Sequence, residues 1–275
     1  MARSQAAQQR NGKRTADRAA VREVKSAART IDVLELLAAR QNQPMGLREL
    51  SEELGAPRSS VYALIRTLVT SGWVRPDESG QRYSIGIRAL LAGTTYLDTD
   101  PVLRIVLPHI TELSSRLDET IHFARLERTD VVYLATRESS QYLRPFSRVG
   151  RRLPAFTSSL GKALLSTYPD EEIDAHLPDQ LLALTPRTIT DRAALLANLG
   201  ETRSRGYAID REENLTGISC FGFALRYSDP ATDAISCSLP HDRLTPTREE
   251  EILSAMEATR LAIEQMAPSV PAALS

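Results

Sequence analysis

Residues 47–68 read LRELSEELGAPRSSVYALIRTL, and the spacing of their apolar residues predicts two short amphipathic helices joined by a tight turn. The first helix carries leucines on one face, at Leu47, Leu50 and Leu54. The second has a similar stripe, at Val61, Leu64, Ile65 and Leu68. Gly55 suits a left-handed helix end, and Pro57 suits a new helix start. The pattern is typical of a helix-turn-helix, although an ordinary αα-hairpin in a protein core shares it.

A β-hairpin is predicted directly after the second helix. Residues 73–74 and 82–85 are β-prone, and the turn sequence Pro-Asp-Glu-Ser-Gly separates them. A further helix is predicted to begin near Ser26 and to end near residues 41–44, with one face formed by Ala28, Ile31, Leu34 and Leu37. Three helices and a hairpin within about 60 residues predict a winged helix-turn-helix, which indicates DNA binding far more specifically than two helices alone.

The charge distribution suggests that the N-terminal part of the chain binds a polyanion. Residues 1–88 contain 15 Lys and Arg against 9 Asp and Glu, whereas the remaining residues contain 19 against 26. A basic N-terminal part and an acidic remainder suggest that only the N-terminal part binds a polyanion. A solvated basic tail without a partner is the alternative. Residues 1–25 lack hydrophobic periodicity, so we expect a disordered basic arm there.

Length and composition exclude several classes of protein. The chain has 275 residues, enough for about two domains. No apolar run approaches the ~20 residues of a membrane span, and the first 20 residues lack the apolar core of a signal peptide. Cys220 and Cys237 have no CxxC spacing and are too few for a disulfide framework. We therefore expect a protein of a reducing cytoplasm, without a membrane partner.

A predominantly apolar helix is predicted over residues 86–97, after the hairpin. Too few of its residues are polar for a free surface helix, so we expect it to pair with a second subunit. Pro101 begins a new helix that runs to about Leu117.

The rest of the chain predicts an α+β domain. Three short strands are expected from Thr120, the third over residues 141–149, followed by a loop at 150–154. Further strands are expected at 207–209, 218–227 and 234–239. Helices are expected from Ser158 or Ser159 to about Tyr168, and over 170–176, 191–205 and 245–266. These elements form a sheet of five or six strands covered by helices.

Several stretches, in this order, resemble the IclR family of bacterial transcriptional regulators. They are SAARTIDVLELLA (26–38), the helix-turn-helix itself, YSIGIRALLAG (83–93), TSSLGKALLS (157–166), RGYAIDREENLTGISCFGFALR (205–226) and ISCSLP (235–240). The resemblance implies a winged helix-turn-helix over 26–88, a linker helix over 89–103 and a GAF-like effector domain over 104–270. Members act as dimers or tetramers at palindromic operators, and most repress.

The recognition helix supplies the candidate DNA-binding residues. Its N-terminal part would approach base edges, which points to Arg58, Ser59, Ser60 and Tyr62. Phosphate contacts are expected from Arg66, nearer the C-terminal end of this helix, from Arg29 near the start of the first helix, and from Arg82 in the wing. Each could instead be an exposed polar residue that contacts nothing. Family members often have Arg where this chain has Ala63, so operator identity does not carry over.

A second candidate site lies in the predicted effector domain. The helix after Ser158 offers free N–H groups and a positive dipole end, which would suit a carboxylate. The positions that match the family's effector-binding residues are Ser159, Leu160, Asp210, Ile218, Cys220, Ser236 and Ser238. Their hydroxyls, backbone donors and apolar walls fit a small organic acid. Ser159 could instead be a simple helix cap, and Cys220 a buried core thiol.

Other chemistries receive little support from the sequence. Gly161-Lys162 lacks the upstream glycine of a P-loop, and the four histidines lack metal-ligand spacing. We expect neither a cofactor nor a metal. Cys220 and His241 could form a nucleophile pair, so a GAF-type enzyme or signalling domain remains an alternative. A DNA-binding protein without a ligand is another.

Overall fold

The computed structural model describes residues 24–40, 43–141 and 148–267. The predicted basic arm therefore lies almost entirely outside the described residues. The chain divides into two compact units, Met1–Asp98 and Thr99–Ser275. Within the described ranges, no helix is both long and apolar enough to cross a bilayer.

The first unit is a winged helix-turn-helix. Its helices are α1 (Lys25–Ala39), α2 (Leu47–Glu53) and α3 (Arg58–Thr70). A three-stranded antiparallel sheet has the order β1-β3-β2, with β1 at Met45–Gly46, β2 at Val74–Pro76 and β3 at Arg82–Ile85. The predicted stripes of α2 and α3 face the core, where Leu50, Val61 and Ile65 are buried. Gly55 has φ +56°, as expected for the turn between the two helices.

The buried face of α1 differs from the predicted one. Ile31 was expected to face inward but is 56% exposed, whereas Val33 is fully buried with Leu37. The apolar residues of α1 cover more than one face, so periodicity alone did not identify the side that contacts β3 and the rest of the core.

An exposed apolar helix follows the wing. Helix α4 (Ile87–Thr99) has no buried residue. Its exposed apolar side chains are Ile87, Leu90, Leu91 and Tyr96. The structure thus agrees with the predicted helix and with its lack of a polar surface.

The second unit is a sheet with helices on both faces. Its described strands form a six-stranded antiparallel sheet in the order β6-β5-β4-β9-β8-β7. They are β4 (Thr120–Glu127), β5 (Asp130–Arg137), β6 (Arg152–Pro154), β7 (Ala208–Arg211), β8 (Ile218–Leu225) and β9 (Asp233–Pro240). The helices are α5 (Pro101–Leu117), α6 (Ser159–Leu165), α7 (Asp170–Ile173), α8 (Arg192–Arg205) and α9 (Pro246–Met266). Helices α5 and α9 contact one face of the sheet, and α6 contacts the other.

The edge strand of this sheet was not predicted correctly. Residues 142–147 of the expected third strand lie outside the described residues. The expected loop at 150–154 is wrong, because β6 lies there and pairs Arg152 with Val132 and Pro154 with Asp130. Its pairing partners lie in another strand, which local sequence patterns do not report. Helix α6 also ends at Leu165 rather than near Tyr168.

A half-buried arginine holds the start of α5 against the sheet. Arg125 donates from Nε to Asp233 Oδ1 at 2.7 Å and from its guanidinium to Asp100 Oδ2 at 2.5 Å. Asp100 in turn accepts a hydrogen bond from the backbone N–H of Leu103 at 2.8 Å, which caps the helix. The entry of α5 is therefore fixed to strands β4 and β9 by charge-assisted hydrogen bonds.

Helix α6 lies directly on the sheet because position 222 has no side chain. A Cβ atom on Gly222 would lie 2.3 Å from the carbonyl oxygen of Ser159 and 3.0 Å from the nitrogen of Leu160. The contact is backbone against backbone, so a side chain at 222 would have no room.

We predict that Gly222→Ala destabilises the second unit by about 3 kcal/mol, because α6 would have to move off the sheet. Urea unfolding followed by circular dichroism measures this change. Gly200→Ala is the matched control, since a Cβ there meets nothing within 4 Å. The control should be neutral or stabilising by up to about 1 kcal/mol. Equal stability of the two variants would contradict the close contact.

Candidate functional site

The outer face of α3 carries exposed side chains that are mostly short. Arg58, Ser59, Ala63 and Arg66 are exposed, and Ser60 is half-buried. Tyr62 is 47% exposed despite its large ring. The buried stripe of the same helix holds α3 against the core, so this outer face remains open for a partner.

Several arginines of the first unit are neutralised by glutamates of α2. Arg82 donates to the carbonyl of Pro44 at 2.8 Å and pairs with Glu49 at 3.3 Å. The same helix pairs its other two glutamates, in Arg48–Glu52 and Arg40–Glu53, each at 2.8 Å. Arg82, a predicted phosphate contact, thus has intramolecular partners at the base of the wing, although its side chain is 51% exposed.

The cations on α3 and on strand β2 lack such carboxylate partners. Within the described ranges, no ion pair forms at Arg58, Arg66 or the exposed Arg75 of β2. Arg29, the remaining predicted phosphate contact, lies half-buried on α1. With the glutamates of α2 paired, the guanidinium groups of Arg58, Arg66 and Arg75 remain without an ion pair among the described residues, where a phosphate backbone could meet them.

The strand register of the second unit places its seven candidate residues on one face of the sheet or on the helix above it. Asp210 pairs with Cys220, and Cys220 pairs with Ser238. Ser236 lies in the next row, opposite Gly222. Ile218 is two residues from Cys220 on β8, so it shares that face. The first turn of α6, with Ser159 and Leu160, lies over Gly222 beside this row.

Three polar or aromatic residues on the same face were missed from the sequence. His122 pairs with Ser236 across β4 and β9, and its Nδ1 lies 3.1 Å from Thr136 Oγ1. The ring of Tyr133 meets that of His122 edge to face, with centroids 4.9 Å apart. A register shift between Phe123 and Ala124 turns both Tyr133 and Thr136 to this face. Simple alternation along β5 would separate them.

The helix cap at α6 is Ser158. Its Oγ accepts the hydrogen bond of the Gly161 amide at 3.1 Å, which resolves the two predicted alternatives. Ser159 is therefore the first helical residue, and the amides of Ser159 and Leu160 lie at the positive end of the helix, beside the polar face of the sheet.

Cys220 is a thiol rather than a nucleophilic thiolate. Burial, reinforced by the nearby Asp210 carboxylate, raises its pKa well above the ordinary value. Ser238 donates a hydrogen bond to its sulfur at 3.1 Å. His241 instead bonds the hydroxyl of Ser219 at 2.8 Å, on the opposite face of β8. The Cys220–His241 pair considered from the sequence is therefore not formed.

A buried ion pair fastens the β7–β8 turn beneath α6. Lys162 is fully buried, and its Nζ lies 2.6 Å from both carboxylate oxygens of Glu213. Asp210 accepts hydrogen bonds from the amides of Glu213 at 2.7 Å and Asn214 at 3.3 Å. Burial and the Glu213 charge raise the pKa of Asp210 to about 7. Asp210 is thus committed to the turn, and no metal-binding group of three or more His, Cys, Asp or Glu occurs in the described part of the chain.

Comparison with known proteins places both units in one family. The model described as the IclR helix-turn-helix domain matches residues 26–78, and the model of the bacterial transcriptional regulator IclR C-terminal domain matches residues 94–265. The chain is 30% identical over 236 residues to the transcriptional regulator KdgR of Escherichia coli, covering 85% of this chain and 89% of the relative. It is 34% identical over 203 residues to the repressor AllR of Klebsiella pneumoniae, covering 73% and 74%.

Solved structures share the fold. An IclR-type regulator from Alicyclobacillus acidocaldarius aligns with a TM-score of 0.77 at 23% identity, covering 88% of this chain and 98% of that one. An IclR homologue from Microbacterium hydrocarbonoxydans, complexed with 4-hydroxybenzoate, aligns with a TM-score of 0.70 at 22% identity, covering 87% and 98%. The relatives in the matched family are transcriptional regulators rather than enzymes. Both family models and the similarity to KdgR across most of the sequence show that the chain belongs to the IclR family of bacterial transcriptional regulators.

Proposed function

We propose that this regulator binds a palindromic operator through α3 and the wing and thereby represses transcription. A small organic acid bound on the polar sheet face changes its operator affinity. The observation that carries the proposal is the outer face of α3, where Arg58 and Arg66 have no ion pair in the described ranges, while each α2 glutamate is paired. Such a protein acts in the bacterial cytoplasm, on the nucleoid when operator-bound.

The DNA contacts divide into two kinds. Arg58, Ser59, Ser60 and Tyr62 lie on the N-terminal half of α3, the part of a recognition helix that reaches base edges. Arg29 lies on α1 and Arg82 in the wing, and we assign both to phosphate contacts. If Arg82 contacts a phosphate, its guanidinium must bind the phosphate while it also contacts Glu49 and the Pro44 carbonyl.

The effector site combines one anion-binding end with neutral hydrogen-bonding groups. The amides of Ser159 and Leu160 suit a carboxylate. Ser236 and Ser238 offer hydroxyls on the sheet, and Ile218 adds an apolar wall. The complex of a structural neighbour with 4-hydroxybenzoate, a small organic acid, supports the ligand class by likeness.

His122 contributes a neutral ring to this site. Burial, with a further effect from the positive charge of Arg151, lowers its pKa from 6.5 to about 3. At neutral pH the imidazole is therefore uncharged, so it offers one donor and one acceptor rather than a counter-charge for the ligand.

We propose a self-association surface on α4. Ile87, Leu90 and Leu91 are exposed at helical spacing on one side of this helix. A palindromic operator is read by two symmetric copies, so pairing of α4 helices would supply the dimer, and a tetramer would need a further contact.

The operator function is tested by fluorescence anisotropy on duplex DNA from upstream of the regulator's own gene and its neighbours. We expect salt-sensitive, site-specific binding that Arg58→Gln weakens about 5- to 150-fold. Arg48→Gln, which removes the same charge from α2, should have little effect. The absence of site-specific binding at every promoter tested would contradict the proposal.

The effector function is tested by a thermal-shift screen of organic acids. A ligand that raises the melting temperature should also change operator affinity, because the two affinities are coupled reciprocally. Ser236→Val should abolish the shift while leaving operator binding by the free protein intact. If no organic acid raises the melting temperature, a ligand-independent DNA-binding protein becomes the better description.

We predict that Leu90→Glu weakens self-association at least tenfold, because a carboxylate would be buried against the paired helix. Sedimentation velocity at micromolar concentration measures it. Leu182→Glu is the matched control, since Leu182 is 67% exposed and outside α4. Both variants should melt like wild type, and an unchanged Leu90→Glu assembly would place the interface elsewhere.

His122 should make the protein acid-sensitive. As pH falls below 6.5 the unfolded chain gains a proton at this ring, whereas the folded chain gains it only near pH 3. Stability is therefore lost with decreasing pH in that window. Relative to His122→Gln, wild type should lose about 2 kcal/mol between pH 7 and pH 5 in urea unfolding. Parallel pH curves for the two proteins would contradict a buried neutral ring.

A further inference from the structure

Two side chains on the outer face of α3 contact each other. The guanidinium carbon of Arg66 lies 5.9 Å from the ring centroid of Tyr62, one helical turn earlier. Both side chains are exposed. In the described ranges no carboxylate pairs with Arg66, in contrast to Arg40 and Arg48 of the same unit, which are neutralised by α2. The Tyr62 ring is thus the group that the Arg66 guanidinium packs against.

The contact moves the charge of Arg66 toward the start of the helix. Side chains on a helix tilt toward its N-terminus, so each covers the turn before its own Cα. The Cα atom of Tyr62 lies about 6 Å nearer the N-terminus than that of Arg66. The sequence position of Arg66 suggested a phosphate contact, but its contact with the Tyr62 ring directs the guanidinium toward the half of the helix that approaches base edges.

The neighbouring positions allow a close approach to the groove. Ala63 lies beside Tyr62, and Ser59 lies one turn before it; both are exposed and short. A long side chain at either position would hold the helix away from the groove floor. Because these two residues are short, the groups that extend farthest from this part of the face are Arg58, the Tyr62 ring and the Arg66 guanidinium.

We propose that Tyr62 and Arg66 act as one unit that reads a guanine in each half of the operator. Arg66 would donate two parallel hydrogen bonds to O6 and N7 of the base, the geometry that its planar fork matches. Tyr62 is a positioning residue, because its ring face holds the guanidinium plane in one orientation. This inference rests on the proposed operator binding through α3.

The test begins with a random duplex DNA library, from which the full-length wild-type protein selects its own site. Each guanine of the selected site is then replaced singly by 7-deazaguanine, which removes the N7 acceptor. We expect one guanine per half-site whose replacement weakens wild-type binding about 5- to 150-fold.

Four variants separate the roles. Arg66→Gln and Arg66→Lys should show a smaller 7-deaza penalty than wild type, because neither has the planar bidentate fork. Tyr62→Leu should reduce the 7-deaza penalty severalfold, and Tyr62→Phe, which keeps the ring face, should retain it. Both positions are exposed, so the melting temperatures of all four variants should match wild type.

Two results would overturn the proposal. If Arg66→Gln weakens binding to all sequences equally and lowers the salt slope by about one, Arg66 contacts a phosphate. If Tyr62→Leu keeps the full 7-deaza penalty, the ring does not position the arginine. Failure of wild type to select any sequence is a different outcome, because it refutes operator binding itself.

Discussion

The second unit depends on a backbone contact in which the first turn of α6 meets the sheet at Gly222. The carbonyl of Ser159 occupies the space that any side chain at position 222 would need. Alanines provide the same closeness farther along the helix, on neighbouring strands at positions 124, 224 and 234. Because α6 packs so closely on the sheet, its first amides lie near the adjacent row of the sheet, which carries the hydroxyls of Ser236 and Ser238 and the ring of His122. The polar site is a consequence of this packing.

Charge is treated differently in the two units. In the winged unit, the glutamates of α2 form ion pairs at the surface, whereas Arg58 and Arg66 of α3 form none within the described residues. The other unit also contains ion pairs that are buried or half-buried, such as Lys162–Glu213 and Arg125–Asp233. Removing one partner of a buried ion pair leaves the other charge without its partner, which costs about 3–5 kcal/mol. These contacts therefore fix the β7–β8 turn and the start of α5 in one geometry.

Sequence patterns predicted what depends on local spacing. The helices of the winged unit, its turn at Gly55 and the wing follow from periodicity and turn chemistry, which act within a few residues. The family and the fold were confirmed as well. Features that depend on distant partners were not predictable. The strand β6 needed its pairing with β5, and the burial of Lys162 needed a glutamate 51 positions away. His122 and Thr136 meet only because of a register shift within β4 and β5.

The arrangement of rows on the sheet also bears on how such regulators diverge. Positions under α6, such as Gly222 and Ala224, are constrained by the helix and can accept almost no change in volume. Ser236, Ser238 and Cys220 lie just beyond the helix start, where a change of side chain alters the lining without lifting α6. Gene duplicates could therefore change the chemistry of this sheet face through a handful of substitutions, while purifying selection preserves the scaffold that supports it.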